Sequence, residues 1–305
     1  MNTTFETTPC DLCGSTLTRP YLGVHDRIYD LPGEFQIVHC EQCGLLYINP
    51  RPNRASIGQY YPGLTYHAFR PDGGLKAALK RYMRQNEAKG LLEGLPGGAK
   101  VLEIGCGTGD LLVALREAGA EVMGVEPNAD AAEAARSRSR LHVEIGMLDD
   151  VALESAQFDL VFMKYALEHV HSPRATIHQI ANLLLPGGRA VFWIPNAASW
   201  DARLFGGYWR GLDAPRHLYI FTPTTIRELI ATAGMQVQDI TYSPVPNDWA
   251  GSFEFWLRDR GLPRTMARWF GVESPLALAA WLPFSAAAAT FGAAGRMRVT
   301  VVRNP

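Results

Sequence analysis

From Lys100 onward, short apolar runs alternate with longer stretches of helical periodicity. Val101–Ile104, Glu121–Val125, Leu141–Ile145, Phe158–Met163 and Arg189–Ile194 read as five strands. Leu111–Ala118, the alanine-rich Ala129–Ser137 and Pro173–Leu184 read as helices among them, the last stopped by Pro186–Gly188. Short apolar strands separated by helices predict a parallel sheet covered on both faces. Farther on, Thr224–Ala233 predicts a helix ended by Gly234, and Met235–Tyr242 and Arg296–Val302 predict two more strands. The stretch 245–293 between those strands is longer than a hairpin needs and reads as a mostly helical insertion.

The chain before Lys100 is patterned differently. Residues 1–50 show little apolar periodicity and read as a small, loop-rich unit. Residues 51–75 are rich in Pro, Gly and Tyr and read as a linker or lid. A helix is predicted over Leu75–Leu92, broken by Pro96, Gly97 and Gly98. The expected organisation is therefore a module over 1–50, a linker over 51–75 and a large α/β domain over 76–305, with no internal repeat.

Charge narrows the partners. With 29 basic and 30 acidic side chains the formal net charge is −1, so no broad electrostatic footprint for nucleic acid is expected. Met1 to Thr8 lacks the basic-then-apolar layout of a secretion signal, which leads us to expect a cytoplasmic protein with reduced thiols. Four of the five cysteines form two CxxC pairs, Cys10 with Cys13 and Cys40 with Cys43. In a reducing compartment that pattern reads as a metal site rather than a disulfide, with a redox dithiol as the alternative. Zinc takes four thiolates at about 2.3 Å in a closed tetrahedral shell, so Zn2+ here is expected to be structural. Gly14 and Gly44 follow the two pairs, where a glycine relaxes the turn so that backbone N–H groups face the sulfurs. His25 and His39 are substitute ligands only if a cysteine fails.

The segment Val101-Leu-Glu-Ile-Gly105-Cys-Gly107-Thr-Gly109 ends a strand and opens a helix, with glycines that let the backbone approach a ligand. Asp110 stands where a dinucleotide fingerprint has its third glycine, and no P-loop Lys-Ser/Thr follows. The second strand runs into Val125-Glu126-Pro127, and a carboxylate at that strand end suits ribose hydroxyls.

These residues resemble the class I S-adenosylmethionine-dependent methyltransferases. Glu103-Ile-Gly105-Cys-Gly107-Thr-Gly109 looks like the family's first motif and Gly124-Val-Glu126-Pro127 like its second-strand acid. Gly146-Met-Leu-Asp149-Asp150, Phe158-Asp-Leu-Val, Leu167-Glu168-His169-Val170 and Leu185-Pro-Gly-Gly188 resemble its later segments in order, over roughly residues 85–245. The resemblance implies a Rossmann-like sheet, mostly parallel with the last strand antiparallel, and S-adenosylmethionine as cofactor. It implies that Glu103, Gly105, Cys106, Gly107 and Gly109 line the methionine end, Cys106 through its backbone. Glu126 and Pro127 would hold the ribose, Leu148 and Asp149 would flank the adenine, and Lys164 would lie near the amino-acid moiety. Together with CDLCGS and CEQCGLLYINPRP, the motifs resemble bacterial sugar and secondary-metabolite methyltransferases, which include zinc-containing C-methyltransferases of deoxysugar nucleotides.

An alcohol, or a carbon beside a carbonyl, is a poor nucleophile until a base takes its proton. Two histidines are candidates. His169 follows the fourth strand, in a Glu-His pair that also resembles ubiquinone-type O-methyltransferases. His217 lies in Asp213-Ala-Pro-Arg216-His217-Leu-Tyr219, a loop that commonly faces the acceptor; unlike the sugar C-methyltransferases it holds one histidine and no glutamate. His171 and His178 read as surface or packing residues, and Arg216 as a grip for a phosphate or carboxylate, or a solvated side chain. The expected activity is methylation of a small-molecule acceptor on O or C, with a sugar or sugar nucleotide as the class that the resemblance implies. The alternatives are RNA methylation, disfavoured by the charge, and non-catalytic cofactor binding, disfavoured by the intact motifs. Pro275 to Gly295 carries no charge and approaches the length of a membrane span of about 20 apolar residues. Pro283 and the strand that follows argue for a packed helical hairpin instead, with peripheral membrane contact as the lesser alternative. Nothing in the sequence sets an oligomeric state.

Overall fold

Among the described residues before 50, short strands lie between the loops, and the sequence pattern did not predict them. In the computed structural model, which describes residues 3–61 and 74–304, β1 (Phe5–Glu6) is followed by β2 (Thr18–His25), β3 (Glu34–Cys40), β4 (Leu46–Ile48) and β5 (Arg51–Pro52). β2, β3 and β4 form an antiparallel sheet, while β1 pairs with β5. The pattern was hidden because the strands are short and β2 contains Pro20 and a register shift between Pro20 and Leu22. Residues 62–73, most of the expected linker or lid, lie outside the described residues.

The large sheet follows the sequence closely. Its strands are β6 (Lys100–Ile104), β7 (Glu121–Glu126), β8 (His142–Ile145), β9 (Phe158–Lys164), β10 (Leu184–Pro195), β12 (Met235–Tyr242) and β13 (Arg296–Arg303). The order is β12-β13-β10-β9-β6-β7-β8. Only β13 runs against its neighbours, antiparallel to both β10 and β12. Leu160–Met163 and Ala190–Phe192 are fully enclosed, as central parallel strands with helices on both faces require. The helices are α1 (Gly74–Leu92), α2 (Asp110–Glu117), α3 (Ala129–Ser139), α4 (Pro173–Leu183), α5 (Trp200–Phe205) and α6 (Pro223–Ala231). Strand order reverses between β6 and β9, so the crevice beyond their carboxyl ends is where a ligand fits.

α2 begins at Gly109, whose φ is +75°. A Cβ there would come within 2.3 Å of Leu141 Cδ1. Gly109→Ala therefore combines a disfavoured conformation with overpacking and is expected to cost about 2–4 kcal/mol. Urea unfolding is the check; a loss under about 0.5 kcal/mol would refute the packing argument.

Between β12 and β13 lie α7 (Pro246–Arg258), α8 (Arg264–Ala267) and α9 (Pro275–Thr290). Trp281 of α9 stacks on Trp249 of α7 at 5.5 Å and meets Phe253 at 5.7 Å, so one side of α9 is packed. Leu276, at 84%, and Leu282, at 48%, are left exposed, so the segment is less fully packed than the hairpin reading supposed. Among the described residues no single helix is long and apolar enough to cross a membrane.

The two sheets are joined by a short strand, β11 (Tyr219–Ile220), which the sequence pattern also missed. β11 pairs with β4 and extends the amino-terminal sheet to four strands, in the order β11-β4-β3-β2. The chain leading out of the 206–218 loop is thus an edge strand of the cysteine module's sheet.

Candidate active site

The glycine loop turns back from β6 onto the end of β7. Gly105 has φ +78° and donates its N–H to the Val125 carbonyl at 2.7 Å. A Cβ on Gly105 would meet Ala166 Cβ at 2.9 Å, so only glycine fits. Gly107 N–H donates to Glu126 Oε2 at 2.7 Å, and Asn128 N–H to Oε1 at 2.8 Å. Glu126 thus faces the glycine loop, while Pro127 after it is exposed, and burial pushes the Glu126 carboxyl upward against those two hydrogen bonds. The Cys106 side chain is buried against Gly124, where a Cβ would meet its Sγ at 2.6 Å. Burial pushes its thiol up, which suits a filler rather than a nucleophile.

Glu103 is the informative acid here. It is 5% exposed, its Oε2 has no hydrogen-bond partner, and burial pushes its carboxyl well above the usual range. An unpaired buried carboxylate is costly unless a cationic or hydrogen-bond-donating ligand completes it. Lys164, at the end of β9, gives both bonds of a bidentate pair to Glu87 of α1, at 2.6 and 2.7 Å, and lies over the Trp193 ring. It is a half-buried ion-pair partner rather than a freely solvated lysine. On the far side of the crevice Leu148 is buried, while Asp149 is exposed and held with Asp150 by Arg54, at 2.6 and 2.5 Å.

Beyond β9 the chain enters a short turn, Leu167–His169, that faces the loop 206–218. The structure brings the two candidate histidines together, with ring centroids 4.6 Å apart, edge to face. His169 Nδ1 lies 3.0 Å from the Arg216 carbonyl oxygen and 3.0 Å from the Tyr61 hydroxyl. His217 Nδ1 donates to the Gly211 carbonyl at 2.8 Å, which leaves Nε2 as the proton acceptor, 3.8 Å from Asp213 and 3.9 Å from Glu168. Glu168, His169 and His217 bring polar atoms within 4.8 Å of one another. Burial pushes the Glu168 carboxyl up to about 8, and neither of its oxygens has a partner. Burial pushes His169 down to about 3 and His217 down as well, the latter opposed by the Asp213 carboxylate.

The sequence missed several of these neighbours. Tyr61 carries no motif, and Tyr165 takes φ +54° at the mouth of β9, where the Arg296 guanidinium lies over its ring at 4.9 Å. Arg296 is itself clamped by Asp248 of α7 at 2.7 and 2.8 Å. Arg216 corrects both sequence expectations: it neither meets solvent nor waits for a substrate anion. It is fully enclosed, with its fork on Asp26 and Asp213. His171 Nε2 packs against the Pro52 carbonyl at 3.2 Å, and His178 is exposed.

The four cysteines of the amino-terminal module converge. Cys10 Sγ lies 3.5 Å from Cys43 Sγ, Cys13 Sγ lies 3.5 Å from Cys40 Sγ, and all four sulfurs fall within 4.8 Å of one another. A tetrahedron with 2.3 Å zinc–sulfur bonds has edges of about 3.8 Å, so the four sulfurs fit such a shell. Each knuckle is closed the same way, Gly14 N–H to Cys10 carbonyl and Gly44 N–H to Cys40 carbonyl, with φ +77° at both glycines. His25 and His39 are not in the cluster.

A seven-stranded sheet with one reversed strand, a glycine loop at the switch point and an acid on the next strand define a class: the S-adenosylmethionine-dependent methyltransferases. The chain belongs to the Methyltransferase domain family, whose model matches residues 75–240. It is 33% identical over 173 residues to the ubiquinone biosynthesis O-methyltransferase of an Azoarcus species, covering 50% of this chain and 72% of that protein. It is 30% identical over 167 residues to the protein of the same name from Xanthomonas axonopodis, covering 50% and 70%. The fold is also that of geranyl diphosphate C-methyltransferase from Streptomyces coelicolor, seen in complex with S-adenosyl-L-homocysteine. The TM-score to it is 0.51 with 14% identity, covering 77% of this chain and 86% of that one. The methyl donor is S-adenosylmethionine.

Proposed function

We propose that this enzyme methylates a hydroxyl oxygen of a small-molecule acceptor, with His217 as the base. The observation that carries the reading is the fixed tautomer of His217, whose Nδ1–H is bound to the Gly211 carbonyl and whose Nε2 is thereby left to accept a proton. His169, tied to the Arg216 carbonyl, shapes the same mouth and is the lesser candidate. S-adenosylmethionine supplies a methyl group already activated on a sulfonium. The chain must align the acceptor, exclude water and hold one proton, which passes from the acceptor O–H to His217 Nε2. Glu103 fits the positively charged methionine end because its buried oxygen lacks a partner, with Gly105, Cys106, Gly107 and Gly109 cradling the cofactor through their backbone. Glu126 and Pro127 fit the ribose, Leu148 and Asp149 the adenine, and Lys164 steers through its pair with Glu87. The names of the curated relatives favour oxygen over carbon and point away from the sugar nucleotide expected from the cysteine motifs. The formal charge of −1 favours a small molecule over RNA. Two CxxC knuckles whose sulfurs converge fit a structural zinc, and cysteines arranged for a metal rather than for disulfides fit a reducing compartment such as the cytoplasm.

Incubating metabolite extracts with methyl-labelled donor and locating the label by mass spectrometry tests the reading. Label on oxygen supports it, and label on carbon or on RNA refutes it. Glu126→Ala removes a charged acceptor from the ribose side and is expected to weaken S-adenosylhomocysteine binding by about 1.5–3 kcal/mol in calorimetry. Unchanged affinity would remove Glu126 from the site.

A further inference from the structure

A buried chain of ion pairs runs from the cysteine module to the acceptor-side histidine. Asp26, one residue past β2, is 1% exposed. Its two oxygens accept from Arg216 Nη1 and Nη2, each at 2.8 Å, and its Oδ1 also accepts the Ile28 and Tyr29 N–H groups at 3.0 Å. Arg216 Nε and Nη2 donate to Asp213 Oδ1 at 3.0 and 2.6 Å, and Nη1 to the Tyr60 carbonyl at 3.0 Å. The Tyr29 ring lies under the guanidinium at 4.8 Å. Asp213 Oδ2 is then 3.8 Å from His217 Nε2, and the turn is closed by His217 N–H on the Asp213 carbonyl at 3.1 Å.

An arginine with no exposed surface is tolerated only when its fork is satisfied, and removing one partner leaves a buried charge uncompensated. Here the module supplies one of the two carboxylates. We infer that Asp26 is a positioning residue for methyl transfer: through Arg216 it holds the Asp213–His217 turn against the crevice. The inference rests on the reading of His217 as the base. Asp26 lies outside residues 75–240, so this support is something the module adds to the family's own fold.

Electrostatics act in the same direction. Two carboxylates against one guanidinium leave a formal excess of one negative charge beside His217. The other groups facing it are Glu168, kept protonated by burial, His169, also neutral, the mutually compensating Arg296 and Asp248, and the Tyr61 and Tyr165 hydroxyls. Neutralising Asp26 removes the excess, so His217 becomes harder to protonate.

The test uses the full-length, metal-loaded protein with S-adenosylhomocysteine bound and its histidines labelled with nitrogen-15. His217→Gln identifies the His217 ring signals. Asp26→Asn is expected to keep S-adenosylhomocysteine affinity within about twofold while moving the His217 ring signals and lowering its titration midpoint by about half a unit or more. If Asp26→Asn does not fold, Asp26→Glu, which keeps the charge but displaces the carboxylate from the Arg216 fork, is expected to move the His217 ring signals, and unmoved signals would overturn the inference. Ring signals and a midpoint that superimpose on the parent protein would overturn the inference, and would do so alone if His217→Gln has lost methyl transfer. A shifted spectrum together with a fully active His217→Gln would overturn the base assignment, and the inference with it.

Discussion

His217→Ala is expected to lower turnover by about 10²–10⁴ while S-adenosylhomocysteine affinity stays within about twofold. The glycine loop, Glu103 and Glu126, which we propose hold the donor, make no hydrogen bond to His217. A loss confined to turnover therefore separates proton removal from cofactor binding. The pH dependence has a definite sign. Burial holds the His217 pKa below its ordinary 6.5, so the base form predominates at neutral pH. The rate should rise with pH through that lowered midpoint and be flat above 6.5. The same shift gives a stability effect: the unfolded chain takes up the proton first as pH falls below 6.5, so stability present above 6.5 is lost toward acid. His169, pushed down to about 3, adds to that acid loss. Glu168 acts oppositely, because its raised pKa of about 8 stabilises the folded state below 4.5 and is lost as pH rises toward 8. A variant with unimpaired turnover, or a rate that falls across pH 5 to 7, would move the base away from His217.

What the sequence made legible was local. Glu103, Gly105, Gly107 and Gly109 lie on one strand–turn–helix, and Glu126 follows on the next strand, so one βαβ unit brings together the residues proposed for the donor side. Apolar runs such as Leu160–Met163 predicted their strands because both faces of a central parallel strand are buried. The acceptor side was legible only as two separate histidines. Their convergence depends on a loop of 206–218 meeting the turn at Leu167–His169, and no periodicity encodes that approach. Arg216 was misread for the same reason. Its partner Asp26 is 190 positions away in a segment with no motif, although the Asp213-Ala-Pro-Arg216-His217 spacing already allowed an ion pair inside the turn. The strands of residues 1–50 were missed because they are short, because β2 carries Pro20 and a register shift, and because the fourth strand of their sheet comes from residues 219–220.

That shared sheet makes metal removal the second large effect. The protein as purified is expected to carry one zinc, held by Cys10, Cys13, Cys40 and Cys43, whose sulfurs already lie at near-tetrahedral spacing. Without a cation, burial pushes the Cys10 thiol up to about 12, so the buried cluster cannot hold four thiolates on its own. Binding of zinc by such sets is worth about 10–16 kcal/mol near pH 7, and most of it is folding free energy. Stripping the metal should therefore unfold β2 to β4 and release β11, whose backbone pairs with β4 and whose neighbour Leu218 accepts from Ile48 N–H at 2.9 Å. The 206–218 loop loses its anchor together with Asp26, and methyl transfer should fall by at least two orders of magnitude, the scale set by losing a positioned base. One face of the large sheet has a core without module residues, including Val101, Leu112, Leu160, Phe162 and Val191, so the sheet should survive, with S-adenosylhomocysteine still bound. Hydrogen exchange followed by mass spectrometry reads both halves at once: fast exchange over 18–48 and 206–222, slow exchange over 100–104, 158–164 and 189–195. Protons compete with zinc for the thiolates, so mild acid should release the metal and reproduce the pattern. Elemental analysis without zinc, or stripped protein whose exchange over 18–48 is unchanged, would refute the centre. Exchange confined to 18–48 that leaves 206–222 protected would keep the zinc but refute its coupling to the acceptor loop.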